Sequence, residues 1–148
     1  MPSVLRLVTR TDLSAEALFD ASLNIDAHVS SMAGSREKAI AGVTTGMIGL
    51  GQTVTWRAKH FGVWFTMTSR IAELDRPRRF VDEQVSGPFR VFHHVHEFES
   101  DAAGTRMIDE ITVGSPLFGA LVERLVLVPY LRRLIRRRNA NLVASLGG

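Results

Sequence analysis

Cysteine is absent from this chain of 148 residues. Its absence excludes disulfide bonds, cysteine-based zinc sites and thiol nucleophiles. Long apolar runs are missing as well, because the most apolar segment, residues 125–131, is far shorter than the roughly 20 residues of a membrane-spanning helix. The first ten residues do not read as a secretory signal, since Arg6 interrupts a short apolar run. We therefore expect a cytoplasmic protein without a transmembrane segment.

The residues that are present are typical of a globular protein. Hydrophobic residues make up 45% of the chain and charged residues 22%, which is too apolar for a disordered chain. A chain of this length can bury roughly 70% of its unfolded surface without a disulfide. We therefore expect a single domain over residues 1–148.

Positive charge is concentrated near the C-terminus. The net charge is +3, and without the five arginines of residues 132–138 it would be −2. Four of them fall on the helix face away from Leu131 and Ile135, namely Arg132, Arg133, Arg136 and Arg137. A solvated helix face is the favoured interpretation, and an acidic partner or an anionic membrane is the alternative. Nucleic acid is not expected, because the rest of the chain is acidic and contains no recognition motif.

The pattern of apolar and β-branched residues predicts one strand, two short helices and then about six antiparallel strands. Ser14 is a suitable N-cap for the first helix, and the second helix covers residues 24–31. The predicted strands are 4–9, 36–41, 53–60, 63–74, 79–86, 90–100 and 105–113. Four glycines between residues 42 and 51 break the chain, and tight turns are favoured there over a flexible lid.

A long amphipathic helix is predicted from Leu117 to about Leu146, because apolar residues recur there at intervals of three and four. Ser115 can cap this helix, with Pro116 at its first position. Pro129 lies inside the pattern and predicts a kink or a break. The whole order of elements predicts an α+β domain in which the helix packs on a curved sheet and leaves a gap for a pocket.

The most informative segment, residues 80–98, reads as two strands around a Gly-Pro turn. Side chains alternate between the two faces of a strand. The first strand therefore places on one face Phe80, Asp82 and Gln84, and the second places on one face Phe92, His94, His96 and Phe98. Phenyl rings mixed with titratable groups suit neither a core nor a solvent face, whereas ligand cavities are lined in this way.

Short motifs are spread along the chain at residues 42–46, 54–56, 61–62, 76–83, 87–89 and 94–98. Together with the order of elements, they resemble the SRPBCC superfamily, the group of START, birch-pollen-allergen and polyketide cyclase proteins. The resemblance covers residues 4 to about 142 and is to bacterial cyclase/dehydrase-like members. It implies a helix-grip fold, in which a seven-stranded antiparallel sheet wraps around the C-terminal helix and encloses a deep hydrophobic tunnel. A fold of this kind does not fix a function.

The two histidines on one strand face allow three interpretations. Their spacing can hold a metal, with Asp82 or Asp109 as a carboxylate ligand, although no established metal motif surrounds them. Acid–base catalysis is the second, with His94 as the base and Asp109 as its orienting partner. The favoured interpretation is a polar lining of the cavity, in which these groups are satisfied by hydrogen bonds.

The expected function is binding of a hydrophobic or amphipathic small molecule, such as a lipid or a polyketide, between the sheet and the C-terminal helix. The predicted ligand-binding residues are Trp56, Phe80, Asp82, Gln84, Phe92, His94, His96 and Asp109. One alternative is a polyketide cyclase, aromatase or dehydratase that uses His94 and Asp109, and another is a non-catalytic interaction protein or chaperone cofactor. No cofactor or metal is expected. A homodimer and an acidic partner at the four exposed arginines both remain open.

Overall fold

A computed structural model describes residues 2–115 and 119–148. It contains seven strands: β1 (Ser3–Thr11), β2 (Lys38–Gly42), β3 (Thr53–His60), β4 (Val63–Asp75), β5 (Arg79–Ser86), β6 (Val91–Asp101) and β7 (Gly104–Gly114). Two short helices, α1 (Ala15–Ser22) and α2 (Ile25–Ser31), follow β1, and a 3₁₀ turn (Ala33–Ser35) leads into β2. The predicted α+β helix-grip architecture is confirmed.

All seven strands form one antiparallel sheet in the order β1-β7-β6-β5-β4-β3-β2. The predicted alternation in β6 is confirmed, because Phe92, His94, His96 and Phe98 are buried while the residues between them are only partly buried. In the register of the sheet, His94 lies opposite Asp82 on β5, and His96 lies opposite Asp109 on β7. The polar residues of the sheet therefore meet at its centre.

Both short helices begin at a side-chain cap. The Ser14 hydroxyl accepts a hydrogen bond from the Ala17 amide, and Asn24 caps α2 in the same way through the Ala27 amide. The glycine-containing segment after β2 is attached to α2, since the Gly46 amide donates to Asp26 and the Gly46 carbonyl accepts from Ile25. Gly46 has a φ of +73°, a conformation that suits glycine in a tight turn.

The C-terminal helical segment has three parts: α3 (Gly119–Val122), a π-helical turn (Glu123–Leu127) and α4 (Val128–Ser145). The break predicted at Pro129 is present as this π-helical turn, and Pro129 itself lies in the first turn of α4, where no amide donor is required. The predicted helix start at Pro116 and Leu117 lies outside the described residues. Within residues 2–115 and 119–148, none of the helices has both the length and the apolar character needed to cross a membrane.

Apolar side chains form two clusters on the same face of the sheet. One cluster lies beneath α1 and α2 and includes Leu18, Phe19, Phe80 and Phe98. The other lies beneath α4 and includes Leu5, Ile111, Leu131 and Ile135. Buried polar side chains of β6, β7 and α4 are found in addition to these clusters: His94, His96, Asp109, Arg138 and Asn139.

Candidate functional site

A cavity of about 560 Å³ lies between the sheet and the C-terminal helical segment. Most of its wall is apolar. Six of the eight predicted ligand-binding residues lie on this wall: Trp56, Phe80, Asp82, Phe92, His94 and His96. Apolar neighbours from β3, β4 and α4 complete it, among them Val54, Ala58, Phe65, Ile71, Leu131 and Ile135.

Two predicted residues are not found among the described residues that line the cavity. Gln84 instead holds the β5–β6 turn, because its Nε2 donates to the Phe89 carbonyl at 2.8 Å and its Oε1 accepts from the Phe89 amide at 3.2 Å. Asp109 is fully buried behind the wall. The expectation that these two side chains touch a ligand therefore has no support from their positions.

Asp109 is the centre of a buried polar network that joins β6, β7 and α4. Its Oδ1 accepts from His94 Nε2 at 2.7 Å and from Arg138 Nη2 at 2.8 Å. Its Oδ2 accepts from Asn139 Nδ2 at 2.8 Å. Arg138 Nε donates in turn to Asn139 Oδ1 at 3.0 Å. The pair His94–Asp109, proposed from the sequence, thus meets in the structure, and His94 and Arg138 carry this network to the cavity wall.

His96 forms a second pair, with Asp82. Its Nε2 donates to Asp82 Oδ2 at 2.6 Å, and its ring stacks between Phe80 and His94 at centroid distances of 4.0 and 3.7 Å. The other ring nitrogen, Nδ1, is buried without a hydrogen-bond partner among the described residues and lies 3.5 Å from Asp109 Oδ1. Two carboxylate–histidine pairs are therefore packed side by side.

Burial and charge set the protonation of these pairs. Burial alone would raise the pKa of Asp109, but the Arg138 guanidinium and the His94 hydrogen bond hold it far below its usual range. Burial would also raise the pKa of Asp82, but the hydrogen bond from His96 outweighs this effect, and the pKa lies below its usual value. Burial, reinforced by His94, lowers the pKa of His96 to about 4. At neutral pH both carboxylates are ionised, His96 is neutral, and Arg138 balances one of the two negative charges.

Two further polar pairs line the cavity. His28 on α2 bonds to Glu37 through Nε2, and its ring packs against Trp56 with centroids 4.4 Å apart. His60 at the end of β3 bonds through Nδ1 to the Tyr130 hydroxyl at 2.6 Å. Burial lowers the pKa of His60 and raises that of Tyr130. The second pair joins the end of β3 to α4.

One group of side chains has the donor atoms of a metal site. Asp82, His94 and His96 each offer a ligand atom, and these atoms lie within 4.8 Å of one another. His and Asp are ligands for zinc and for non-haem iron. In the described geometry, however, the Asp82–His96 contact of 2.6 Å is a hydrogen bond. The interpretation of these residues as a polar lining of the cavity explains this Asp82–His96 contact without a metal.

Sequence analysis missed Arg138, which was counted only as one of five C-terminal arginines. Its position carried a signal, because Leu131, Ile135, Arg138 and Leu142 follow the spacing of one helix face and all are buried. A charged residue on an apolar stripe predicts a buried partner. The pairs His28–Glu37 and His60–Tyr130 had no comparable signal, since their members are 9 and 70 residues apart.

Comparison with known proteins gives matches in structure only. No family model matches the chain, and no curated protein matches its sequence. The Zhui aromatase/cyclase from a Streptomyces species has a TM-score of 0.78 at 13% identity, covering 98% of this chain and 93% of that one. The protein TTHA0849 from Thermus thermophilus has a TM-score of 0.75 at 17% identity, covering 97% of this chain and 99% of that one.

A third similar structure is the major latex-like protein 151 of Panax ginseng, with a TM-score of 0.73 at 12% identity, covering 97% of each chain. The resemblance predicted from the sequence is confirmed at the level of the fold. At these identities the likeness establishes the helix-grip fold, while the function has to be argued from the site.

Proposed function

We propose that this protein binds an apolar or amphipathic small molecule in the cavity between the sheet and the C-terminal helical segment. The observation that carries the proposal is the cavity itself. Its volume of about 560 Å³ falls within the roughly 300–1,000 Å³ of small-molecule sites. Burial of apolar ligand surface would supply most of the affinity, at about 25 cal/mol per Å². A protein without a ligand would be expected to fill such a volume with its own side chains.

The polar part of the wall favours a ligand with a hydrogen-bond donor. Of the three carboxylates on the described cavity wall, Asp82 is the one beside the paired histidines at the centre of the sheet, and its side chain is one-fifth exposed. Its Oδ2 is occupied by His96, which leaves Oδ1 as the acceptor for a ligand. Arg138 balances the charge of Asp109 and leaves that of Asp82 without a fixed positive partner. A ligand with a hydroxyl or ammonium group near Asp82 is therefore preferred over a ligand with an anionic group there.

A fluorescence titration tests this proposal. Trp56 lines the cavity while Trp64 lies on the exposed surface, so the Trp64→Phe variant keeps one reporter at the site. We expect saturable quenching of Trp56 by the apolar probe 1-anilinonaphthalene-8-sulfonate and displacement of that probe by oleyl alcohol. Quenching that does not saturate, or a probe that no apolar alcohol displaces, would contradict ligand binding in this cavity.

A second candidate function is acid–base catalysis in the same cavity, and one observation favours it. The His94–Asp109 contact of 2.7 Å is buried, and Arg138 and Asn139 fix the carboxylate. A buried carboxylate orients an imidazole, whose second nitrogen can then exchange a proton with a ligand. The aromatase/cyclase among the structural neighbours makes ring closure of a poly-β-ketone the reaction to examine first.

The test of this second candidate uses His94→Gln and a synthetic poly-β-ketone thioester. Asp109→Ala is a poor variant, because it would leave the Arg138 charge buried without its partner. Catalysis predicts an aromatic product with the native chain, a large loss of rate in His94→Gln, and probe affinity that stays within about threefold. If His94→Gln forms product at the native rate, the pair has no catalytic role.

A further inference from the structure

The opening of the cavity is surrounded by apolar side chains that face solvent. Four of the described residues both line the cavity and are at least 40% exposed. These residues, called here the apolar rim, are Phe61 (61% exposed), Val63 (53%), Val122 (40%) and Val126 (49%). Phe61 occupies the tip of the β3–β4 hairpin, and its ring lies 4.3 Å from that of Tyr130 on α4. The hairpin tip and the helical segment therefore border one opening.

Cationic and interfacial side chains lie on the outer face of the same hairpin, where Arg57, Lys59 and Trp64 alternate along the strands with residues that line the cavity. Trp64, next to Val63, is 40% exposed, and the Arg57 guanidinium lies over its ring at 4.3 Å, with the Lys59 ammonium at 5.9 Å. Arg124 is exposed between the two rim valines of the helical segment. The exposed arginines of α4, Arg133, Arg136 and Arg137, follow further along the same segment. Among the described residues of the rim and its helical segment up to Val126, the acidic side chain is that of Glu123, and it is buried against Ser3 and Ser115.

We propose that the apolar rim docks on the surface of an anionic lipid bilayer, with the cavity opening facing the membrane. Exposed apolar side chains combined with tryptophan and basic residues are the composition that binds at a bilayer interface. Each Lys or Arg near an anionic surface adds to this attraction. A ligand leaving the bilayer would enter the cavity without passing through water.

A folded protein is the less suitable occupant of this surface. Stable protein interfaces need roughly 800 Å² of closely packed surface on each partner, and the rim is a ring of side chains around an opening. A bilayer surface adapts to such a ring, and its acyl chains can contact the cavity wall. The docking proposal rests on the proposed ligand binding. Flotation measures docking and the Trp56 titration measures ligand binding, so that either proposal can fail without the other.

The experiment is flotation of the full chain with vesicles of phosphatidylcholine alone or containing phosphatidylglycerol. We expect binding to the anionic vesicles and weak binding to the neutral ones. The rim variant is Phe61→Asn with Val126→Asn; asparagine tolerates the positive φ of +54° at position 61. The charge variant is Arg57→Gln with Lys59→Gln. About fivefold weaker binding is expected for each cation removed, and at least tenfold weaker binding for the rim variant.

The matched controls lie elsewhere on the surface. Leu50→Asn replaces an equally exposed apolar residue at the opposite end of β3, and Arg10→Gln replaces an exposed arginine of β1. Both controls should float as the native chain does. The charge variant should still bind 1-anilinonaphthalene-8-sulfonate in the Trp56 titration, because Arg57 and Lys59 are not among the described residues that line the cavity. No flotation with anionic vesicles, or equal losses in the rim and control variants, would overturn membrane docking. Loss of flotation with unchanged probe affinity supports it.

Discussion

Asp109 is a fully buried carboxylate whose only fixed positive charge in the described contacts is Arg138, at 2.8 Å. Removing one member of such a pair leaves the other charge buried without compensation, which costs about 3–5 kcal/mol. We expect Arg138→Met to lower the free energy of unfolding by that amount in urea titrations. Arg137→Met, at the exposed neighbouring position, should change it by less than about 0.5 kcal/mol.

A second variant separates lost charge compensation from lost packing. Adding Asp109→Asn to Arg138→Met removes the uncompensated carboxylate, so the double variant should be more stable than Arg138→Met alone. Equal effects of the Arg138 and Arg137 substitutions would show that the pair contributes nothing to stability.

The lowered pKa of His96 predicts that stability depends on pH. The unfolded chain takes up a proton on this imidazole near pH 6.5, whereas the folded protein holds it neutral down to about pH 4. Between these values the unfolded state binds more protons, so stability rises with pH across this window and is lost as the pH falls. The lowered pKa of His96 contributes about 3 kcal/mol to the difference in stability across this window.

The measurement is the free energy of unfolding at pH 4, 5, 6 and 7. His96→Gln should show a clearly smaller rise with pH than the native chain, while His93→Gln, on the other face of β6, is the matched control. His60 also has a lowered pKa and contributes to the rise in both variants. An unchanged rise in His96→Gln would contradict a neutral, buried His96.

At the level of elements, the strands could be predicted because their apolar residues alternate. The predicted limits of β3 and β5 match the structure, while β2 runs over Lys38–Gly42 instead of residues 36–41, since Arg36 adopts a left-handed φ of +54° and ends the 3₁₀ turn. Pairings between strands and helices depend on tertiary packing, which local patterns do not encode. The identity of the partners of His28, His60 and Arg138 was therefore beyond prediction. Gln84 lies on the predicted strand, and its hydrogen bonds to the Phe89 backbone were not predicted.

Glu123, the first residue of the π-helical turn, is predicted to attach the helical segment to the sheet. This carboxylate is buried and accepts from the Ser3 hydroxyl and from the Ser115 amide, both at 2.6 Å, which ties the helical segment to both β1 and the residue after β7. Glu123→Ala leaves these donors unpaired, at a cost of about 1–3 kcal/mol. Hydrogen exchange should show faster amide exchange in residues 119–127 and little change in β4.

Glu110→Ala is the control for this variant, because Glu110 is an exposed carboxylate on β7. If Glu123→Ala leaves the exchange of residues 119–127 unchanged, the two hydrogen bonds do not hold the helical segment against the sheet. A uniform increase across all strands would instead indicate global destabilisation.

At the scale of the whole molecule, the cavity couples ligand binding to stability. Two apolar clusters pack the rest of the sheet face, while a volume of about 560 Å³ stays open. A ligand that binds only the folded state adds about 2.7 kcal/mol at 100 times its dissociation constant. The free protein should therefore melt at a lower temperature than the protein saturated with oleyl alcohol.

Ala58→Phe tests this coupling, because Ala58 lies on the cavity wall and is 5% exposed. A phenyl ring at this position would occupy ligand space and bury apolar surface that the native chain leaves facing the void. We expect the variant to lose the thermal shift caused by oleyl alcohol while melting no lower than the native free protein. Ala144→Phe, on the exposed side of α4, should keep the native shift. A full shift in Ala58→Phe would place the ligand elsewhere, because the same volume cannot hold both the added ring and the alcohol.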